Sequence, residues 1–302
     1  MFTTLKKPRS RNERNELNSV ARLEPSRRIS SHLVLVTLAV LMMLPFLWML
    51  MASFKSLPDI ENATSLPAVW HPENYSNVFK MGQGLENSAQ RISFAKYYFN
   101  SLFVAIWVTF LQTLTSAMAA YAFSRLRWPG RDNVFKLYLA TLMIPGVVTM
   151  IPNYALMVKL HLLDSYLGLI VPAAFSAFGT FLLRQFMLTI PTSLDEAASI
   201  DGASKWTQFW DIILPLARPG LIALMIFTFM GNYGSFFWPL ILIKSEHLRT
   251  LPIGMLFFDS IYGKQTNLLM AGSIMNIVPL IILFVVSQKF LVRGIQMGAV
   301  KG

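Results

Sequence analysis

The chain is predicted to be an all-α, polytopic membrane protein with six transmembrane helices. Three observations carry that expectation. Of its 302 residues 54% are hydrophobic and only 14% are charged, whereas soluble domains carry about a quarter charged residues. Six long stretches contain no Asp, Glu, Lys or Arg at all. The basic residues gather between alternate stretches rather than evenly.

The six stretches run Leu33–Ala52, Phe99–Phe123, Leu137–Val158, Tyr166–Leu183, Pro219–Ile243 and Leu268–Ser287. Each approaches or exceeds the roughly 20 helical residues, at about 1.5 Å rise each, that cross a bilayer core. A soluble core helix rarely stays uncharged on every face for so long. Periodicity adds little, because a helix apolar all round has no polar stripe.

Orientation follows from Lys and Arg. Of the 26 basic residues, 18 fall in the termini and in the segments 124–136 and 184–218. Both termini are therefore expected to face the cytoplasm. Residues 1–32 read as a basic tail and residues 33–302 as the membrane domain. The tail is too long, and the first apolar run longer than the about 7–15 residues of a secretory signal core, so that run reads as a retained span. The tail is expected to be disordered or to lie on anionic membrane lipid. The net charge of +11 thus reads as loop and tail charge and calls for no nucleic acid.

Several chemistries are excluded. Cysteine is absent, which removes disulfides, thiol nucleophiles and thiolate metal sites. His32, His71, His161 and His247 fit no metal-ligand spacing. No acid or base pair lies inside a span, against a proton-coupled carrier or a membrane enzyme. No Gly-x-x-x-x-Gly-Lys-Ser/Thr loop is present to cradle nucleotide phosphates. Pro45, Pro145, Pro152, Pro172, Pro239 and Pro279 punctuate the spans. They fit bent helices lining a pathway or ordinary membrane-helix kinks.

Segment 184–218 is the informative loop. Ser193 followed by Glu196 reads as a capping box that starts a short helix after Pro191. Asp201-Gly202 reads as the turn that ends it. Lys205–Ile213 reads as an amphipathic segment with Trp206, Phe209, Trp210 and Ile213 on related faces. Ala197 and Ala198 on the surface of the short helix would let another protein approach closely. On the residues alone, a plain membrane-surface helix is the competing reading.

The pattern Glu196-Ala197-Ala198, three residues, Gly202, nine residues, Ile212, one residue, Leu214-Pro215 is similar to the signature loop of ABC-importer permeases. The terminal run from Phe290 through Arg293, Gly294 and Gly298 to Gly302, the phrase Arg249-Thr-Leu-Pro-Ile-Gly254 and the segment Phe236-Phe-Trp238-Pro239-Leu240 resemble the carbohydrate-uptake branch with MalG-type subunits. The chain departs from many such relatives in having Tyr233-Gly234 where they have Trp-Asn.

The resemblance implies a type I importer permease (MetI-like) fold. It implies that Glu196, Ala197, Ala198, Asp201 and Gly202 dock on a cytoplasmic ATPase, while Leu214 and Pro215 pass movement into the fifth span. It places Gly298, Lys301 and Gly302 between two ATPase subunits, and makes Tyr233, Gly234, Phe236, Trp238 and Pro239 gate or pathway candidates. It further implies a second permease subunit, a periplasmic or surface solute-binding protein, and ATP with Mg bound by the ATPases rather than by this chain. The expected function is carbohydrate import. A permease for another solute such as a polyamine, or a self-contained channel or carrier, is the alternative.

Overall fold

The computed structural model describes residues 25–62, 66–80, 94–261 and 265–299, with side chains described outside 25–28, 257–261 and 289–299. Among the described residues all regular structure is helical. In chain order the helices are α1 (Pro25–Ser53), α2 (Leu57–Glu61), α3 (Glu73–Lys80), α4 (Phe94–Ser124), α5 (Arg131–Ala140), α6 (Gly146–Lys159), α7 (Tyr166–Ile170) and α8 (Ala177–Leu188). They continue with α9 (Ser193–Ile200), α10 (Lys205–Thr207), α11 (Leu214–Leu216), α12 (Arg218–Tyr233), α13 (Phe237–Leu242), α14 (Leu251–Ile261) and α15 (Thr266–Ala299).

Three helices are long and apolar enough to cross a membrane, and the number reaches six if each of three bent pairs is one span. Bends are expected from the prolines that punctuate the stretches, and the structure shows where they fall. Segment 131–159 turns by 99° where Pro145 and Gly146 interrupt it, because Pro145 disfavours a helical Ile144 and brings no backbone N–H. Segment 166–188 bends by 42° at Ser176, whose hydroxyl accepts the Gly179 N–H at 3.0 Å and restarts the helix as α8. The expected fifth span, Pro219–Ile243, does not run through. Helix α12 stops at Tyr233, α13 starts at Phe237, and a 77° bend at Ala217 joins α12 to the segment before it. The first helix also begins earlier than expected, so Pro25–His32 of the expected tail is helical. Proline at a helix start loses nothing, since its missing N–H would have been unpaired there.

Helix α4 is the strut of the molecule. It packs along α8 and α12, and α15 packs on α12, α1 and α3. Small residues make the close approaches possible. A Cβ on Gly179 of α8 would sit 2.5 Å from Ser116 Oγ on α4 and 3.2 Å from Leu224 on α12. Dispersion and close packing, rather than escape from water, hold such helices together in lipid.

The buried residues form three groups strung along α4. Ala117, Ala120 and Tyr121 pack with Leu183, Met187, Phe209, Ile213 and Leu224 at its C-terminal end. Val104 and Val108 pack with Met157, Leu169 and Leu242 in the middle. Phe94 and Tyr97 pack with Val78, Leu251 and Ala271 at its N-terminal end. Most large side chains of α1 are exposed, from Leu33 at 67% to Trp48 at 55%. The same holds for Met143, Val147 and Ile151 around the α5–α6 bend. Apolar exposure on this scale suits lipid or another membrane subunit as the neighbour.

Candidate functional site

The segment carrying the signature loop folds as three short pieces against the C-terminal end of α4. Helix α9 runs Ser193–Ile200, but the expected capping box does not form. The cap position is Thr192, in helical conformation and without a side-chain cap bond, so Ser193 lies inside the first turn. The backbone supplies the start instead, with the Thr192 carbonyl accepting the N–H of both Asp195 (3.0 Å) and Glu196 (3.1 Å).

The C-terminus of α9 follows the expectation and shows why glycine is needed. Gly202 has φ +78°, a left-handed conformation that costs a residue with a Cβ about 1 kcal/mol. The Ala203 N–H reaches the Ala198 carbonyl at 2.9 Å and the Gly202 N–H reaches Ser199 at 3.2 Å, the Schellman closure. Asp201 is the cap residue and is exposed.

Of the expected docking residues, Glu196, Ala197, Asp201 and Gly202 are exposed. Ala198 is not on the surface as expected. It is 8% exposed and turned into the protein, because it lies one residue, about 100°, around the helix from Ala197. The outward face gains Ile200 at 86% exposure and Leu194 at 41%, two apolar side chains that the described residues leave uncovered.

Two polar links, neither foreseen in the sequence, fasten this segment to α4 and α8, and a third ties its own pieces together. Arg125, just past α4, pairs through Nη1 with Asp195 Oδ2 at 2.7 Å, and both side chains are largely buried, at 4% and 17% exposure. Its Nη2 donates to the carbonyls of Met187 and Ile190, the latter at 2.7 Å, so one guanidinium closes the end of α8 and holds the first turn of α9. A planar cation with several donors serves this geometry. Tyr121 donates its hydroxyl to the Lys205 carbonyl at 3.0 Å. Buried Gln208 donates to Ser199 Oγ (2.9 Å) and to the Ala203 carbonyl (3.0 Å), joining α9 to the segment after it.

That following segment is not one amphipathic α-helix. Lys205–Thr207 is α-helical and Gln208–Ile213 is a π-helical turn. The widened turn splits the expected apolar face: Phe209 and Ile213 are buried, while Trp206 and Trp210 stay at 59% and 38% exposure. Phe209 lies against Tyr121 of α4, with ring centroids 5.2 Å apart. Leu214 packs beside this core and Pro215 is exposed. Gly298 lies in the described backbone of α15, while Lys301 and Gly302 fall outside the described residues.

A second feature lies across the molecule, beside the break between α12 and α13. A cavity of about 240 Å³ is lined by Ser101 of α4, Asn153 of α6, Asn232, Ser235, Trp238 and Thr250, among others. Of the expected gate residues, Trp238 and Pro239 line it. Tyr233 is buried and stacks on Phe229, Gly234 is exposed at the end of α12, and Phe236 is half-buried in the break.

The N-terminal end of α4 is held close by. Asn100, fully buried, donates to the carbonyls of His247 (3.0 Å) and Arg249 (2.8 Å) and accepts the Tyr166 hydroxyl at 2.6 Å. Asp164, at φ +51°, receives the N–H groups of Lys244 (2.9 Å) and Ser245 (2.8 Å) and the Ser245 hydroxyl. Burial of its carboxyl opposes ionisation, but these hydrogen bonds outweigh it and hold the pKa below the ordinary carboxylate value. Among the described residues no cluster of three or more His, Asp or Glu could hold a metal ion.

Comparison with known proteins fits this arrangement. Residues 20–296 match the family described as binding-protein-dependent transport system inner membrane component. The chain is 33% identical over 279 residues to the arabinooligosaccharides transport system permease protein AraQ of Bacillus subtilis, covering 91% of this chain and 96% of that one. It is 36% identical over 231 residues to the sn-glycerol-3-phosphate transport system permease protein UgpE of Yersinia enterocolitica, covering 76% and 80%. Its fold is similar to a crystal structure of a bacterial ABC transporter involved in the import of the acidic polysaccharide alginate, with a TM-score of 0.75 at 23% identity over 94% of this chain and 99% of that one. The chain therefore belongs to the family of binding-protein-dependent transport system inner membrane components.

Proposed function

We propose that this chain is the permease subunit of an ATP-driven importer that moves a carbohydrate or related polyol or uronide across the bacterial inner membrane. The observation that carries the reading is α9: a capped, glycine-terminated helix with Glu196, Ala197 and apolar Ile200 exposed on one side and clamped to α4 by Arg125 on the other. Such a helix can receive a push from a partner and deliver it into the membrane bundle without melting. Relatives that bear transport-system names, including AraQ for arabinooligosaccharides, support the carbohydrate reading.

In this scheme α9 is the coupling helix. It docks on one of two ATPase subunits, which bind ATP and Mg, while a second permease completes the pathway and a solute-binding protein delivers the ligand from outside. Both termini lie in the cytoplasm, and the C-terminal residues Gly298, Lys301 and Gly302 reach toward the ATPases. ATP binding favours one of two arrangements of the helix bundle by its differential affinity for them, and the bundle alternates between them.

The test uses the complete importer purified with its partners and reconstituted in vesicles. Glu196→Ala and Gly202→Val should leave ATP hydrolysis running while uptake falls at least tenfold. Uptake that stays proportional to hydrolysis in both variants would remove the coupling role. A chain that purifies from its membrane without an ATPase would remove the importer reading itself.

A further inference from the structure

We propose that the elbow before α12, residues 205–216, rests on the cytoplasmic surface of the bilayer, with Trp206 and Trp210 seated among the lipid headgroups. The partner is a phospholipid surface. The inference goes beyond the importer reading and rests on α12 being a membrane span, whatever the cargo.

The elbow turns by 77° into α12 at Ala217. A spanning helix tilts on average about 20° from the membrane normal, so a segment nearly perpendicular to it runs close to the membrane plane. Residues 205–216 therefore extend about 18 Å, at 1.5 Å each, near the depth at which α12 begins. Arg218, exposed in the first turn of α12, marks that depth as the membrane boundary, since a guanidinium stays with water and phosphate. An anionic headgroup is the complementary charge there.

The side chains of the elbow divide by face. Buried Gln208 joins it to α9 through Ser199 Oγ (2.9 Å) and the Ala203 carbonyl (3.0 Å). Phe209 and Ile213 are buried in the core at the end of α4. Trp206 stands two residues before Gln208, about 200° round the helix, so its indole leaves on the side away from α9. Trp210 lies beside it, with ring centroids 5.7 Å apart, and Leu216 is exposed farther along. Helix α9 exposes Glu196 and Asp201 and so belongs on the water side, which leaves the opposite side of the elbow to lipid.

Indole suits that place, because its ring is apolar and its N–H donates to headgroup oxygens. Trp128 and Trp238 give their indole N–H to carbonyls of this chain, whereas Trp206 and Trp210 make no such bond among the described residues. Asp211 is exposed too, but one residue on from Trp210 it leaves the turn in another direction and stays in water. Rings held at one depth act as a pivot. A push on α9, passed through Gln208, then turns the elbow instead of sinking it, and α12 tilts.

The test is photo-crosslinking in the complete importer, reconstituted in nanodiscs of phosphatidylethanolamine and phosphatidylglycerol. In separate samples p-benzoylphenylalanine replaces Trp206, Trp210 or Ile200, and mass spectrometry after irradiation identifies what each position captures. We expect the two tryptophan positions to gain the mass of one phospholipid and position 200 to capture the ATPase. A polypeptide as the main product at either tryptophan position, ATPase or second permease, or lipid at neither, would overturn the proposal. Lipid at positions 206 and 210 with no ATPase at position 200 would leave it standing and strike the docking role of α9 instead. The paired change Trp206→Ala with Trp210→Ala should lower uptake per ATP hydrolysed at least threefold. Trp206→Tyr with Trp210→Tyr should restore most of it, since tyrosine also anchors at the interface. Equal loss in both pairs would mark the rings as packing elements and overturn the anchor.

Discussion

At its C-terminal end α4 is fastened to its neighbours by an ion pair, Arg125 with Asp195, which also gathers two carbonyls at the end of α8. Toward its N-terminal end, about 38 Å away for the 25 positions from Arg125 to Asn100 at 1.5 Å each, the fastener is a neutral amide, Asn100, which gathers two carbonyls and a tyrosine hydroxyl. The difference teaches what each end is suited to. A buried pair of full charges holds two segments in one register and resists being pulled apart, because separation strands a charge away from water. That suits the end where a partner's push must arrive undiminished. A neutral amide strands no charge when its bonds are broken, so that end yields at a lower cost.

The comparison can be broken at either end. The largest effect is expected from Arg125→Ala, which leaves Asp195 buried without its partner and the carbonyls of Met187 and Ile190 unsatisfied. A loss of about 3 kcal/mol should appear in thermal unfolding of the complex, with uptake lost as well. A variant of unaltered stability would show that the clamp is ornamental. Asn100→Leu should cost about 2 kcal/mol, for three hydrogen bonds removed from a fully buried site. In contrast to Arg125→Ala it should leave the ratio of uptake to ATP hydrolysis intact. A changed ratio would blur the distinction between the two ends.

A smaller effect concerns Asp164, which ties the turn before α7 to the segment after α13. Its carboxyl has a folded pKa below the ordinary value, so its contribution to stability is fully present above about pH 4 and is lost as pH falls through the folded value. Acid unfolding followed with and without Asp164→Asn should show the wild-type advantage at neutral pH shrinking as the solution is acidified. An advantage that grows on acidification would reverse the assigned sign. The smallest effect belongs to Ser193→Ala. Since Ser193 is inside the first turn of α9 and makes no cap bond, the change should stay within about 0.5 kcal/mol. A loss near 1 kcal/mol is what a working cap would give, and calorimetry separates the two.

Much of the site was legible in the residue order, and the remainder has identifiable reasons. Asp201-Gly202 announced its turn because left-handed backbone is a local property that glycine alone adopts cheaply. Glu196 and Ala197 announced an exposed helix face. Asp195 stands next to them and carries no signal of its own, since its importance comes from Arg125, 70 positions away in the chain. Ala198 looked like its neighbour and is buried. The split of Trp206 and Trp210 from Phe209 and Ile213 arises from a π-turn, which adds a residue to the helical period and which no pattern of apolar residues displays. Asn153 and Asn232, neutral and isolated within apolar runs, gave no signal until the fold set them around one cavity.

The sequence by itself determined the solvent, the helical class and the family. Composition and long uncharged runs are sums over local choices, and the signature loop is contiguous. The tertiary structure decided where the apolar runs break, which face of α9 looks outward, and which distant polar groups meet. Those outcomes depend on packing between segments far apart in the chain. A proline or serine permits a bend, but the neighbours that α4 holds in place determine whether the chain takes it.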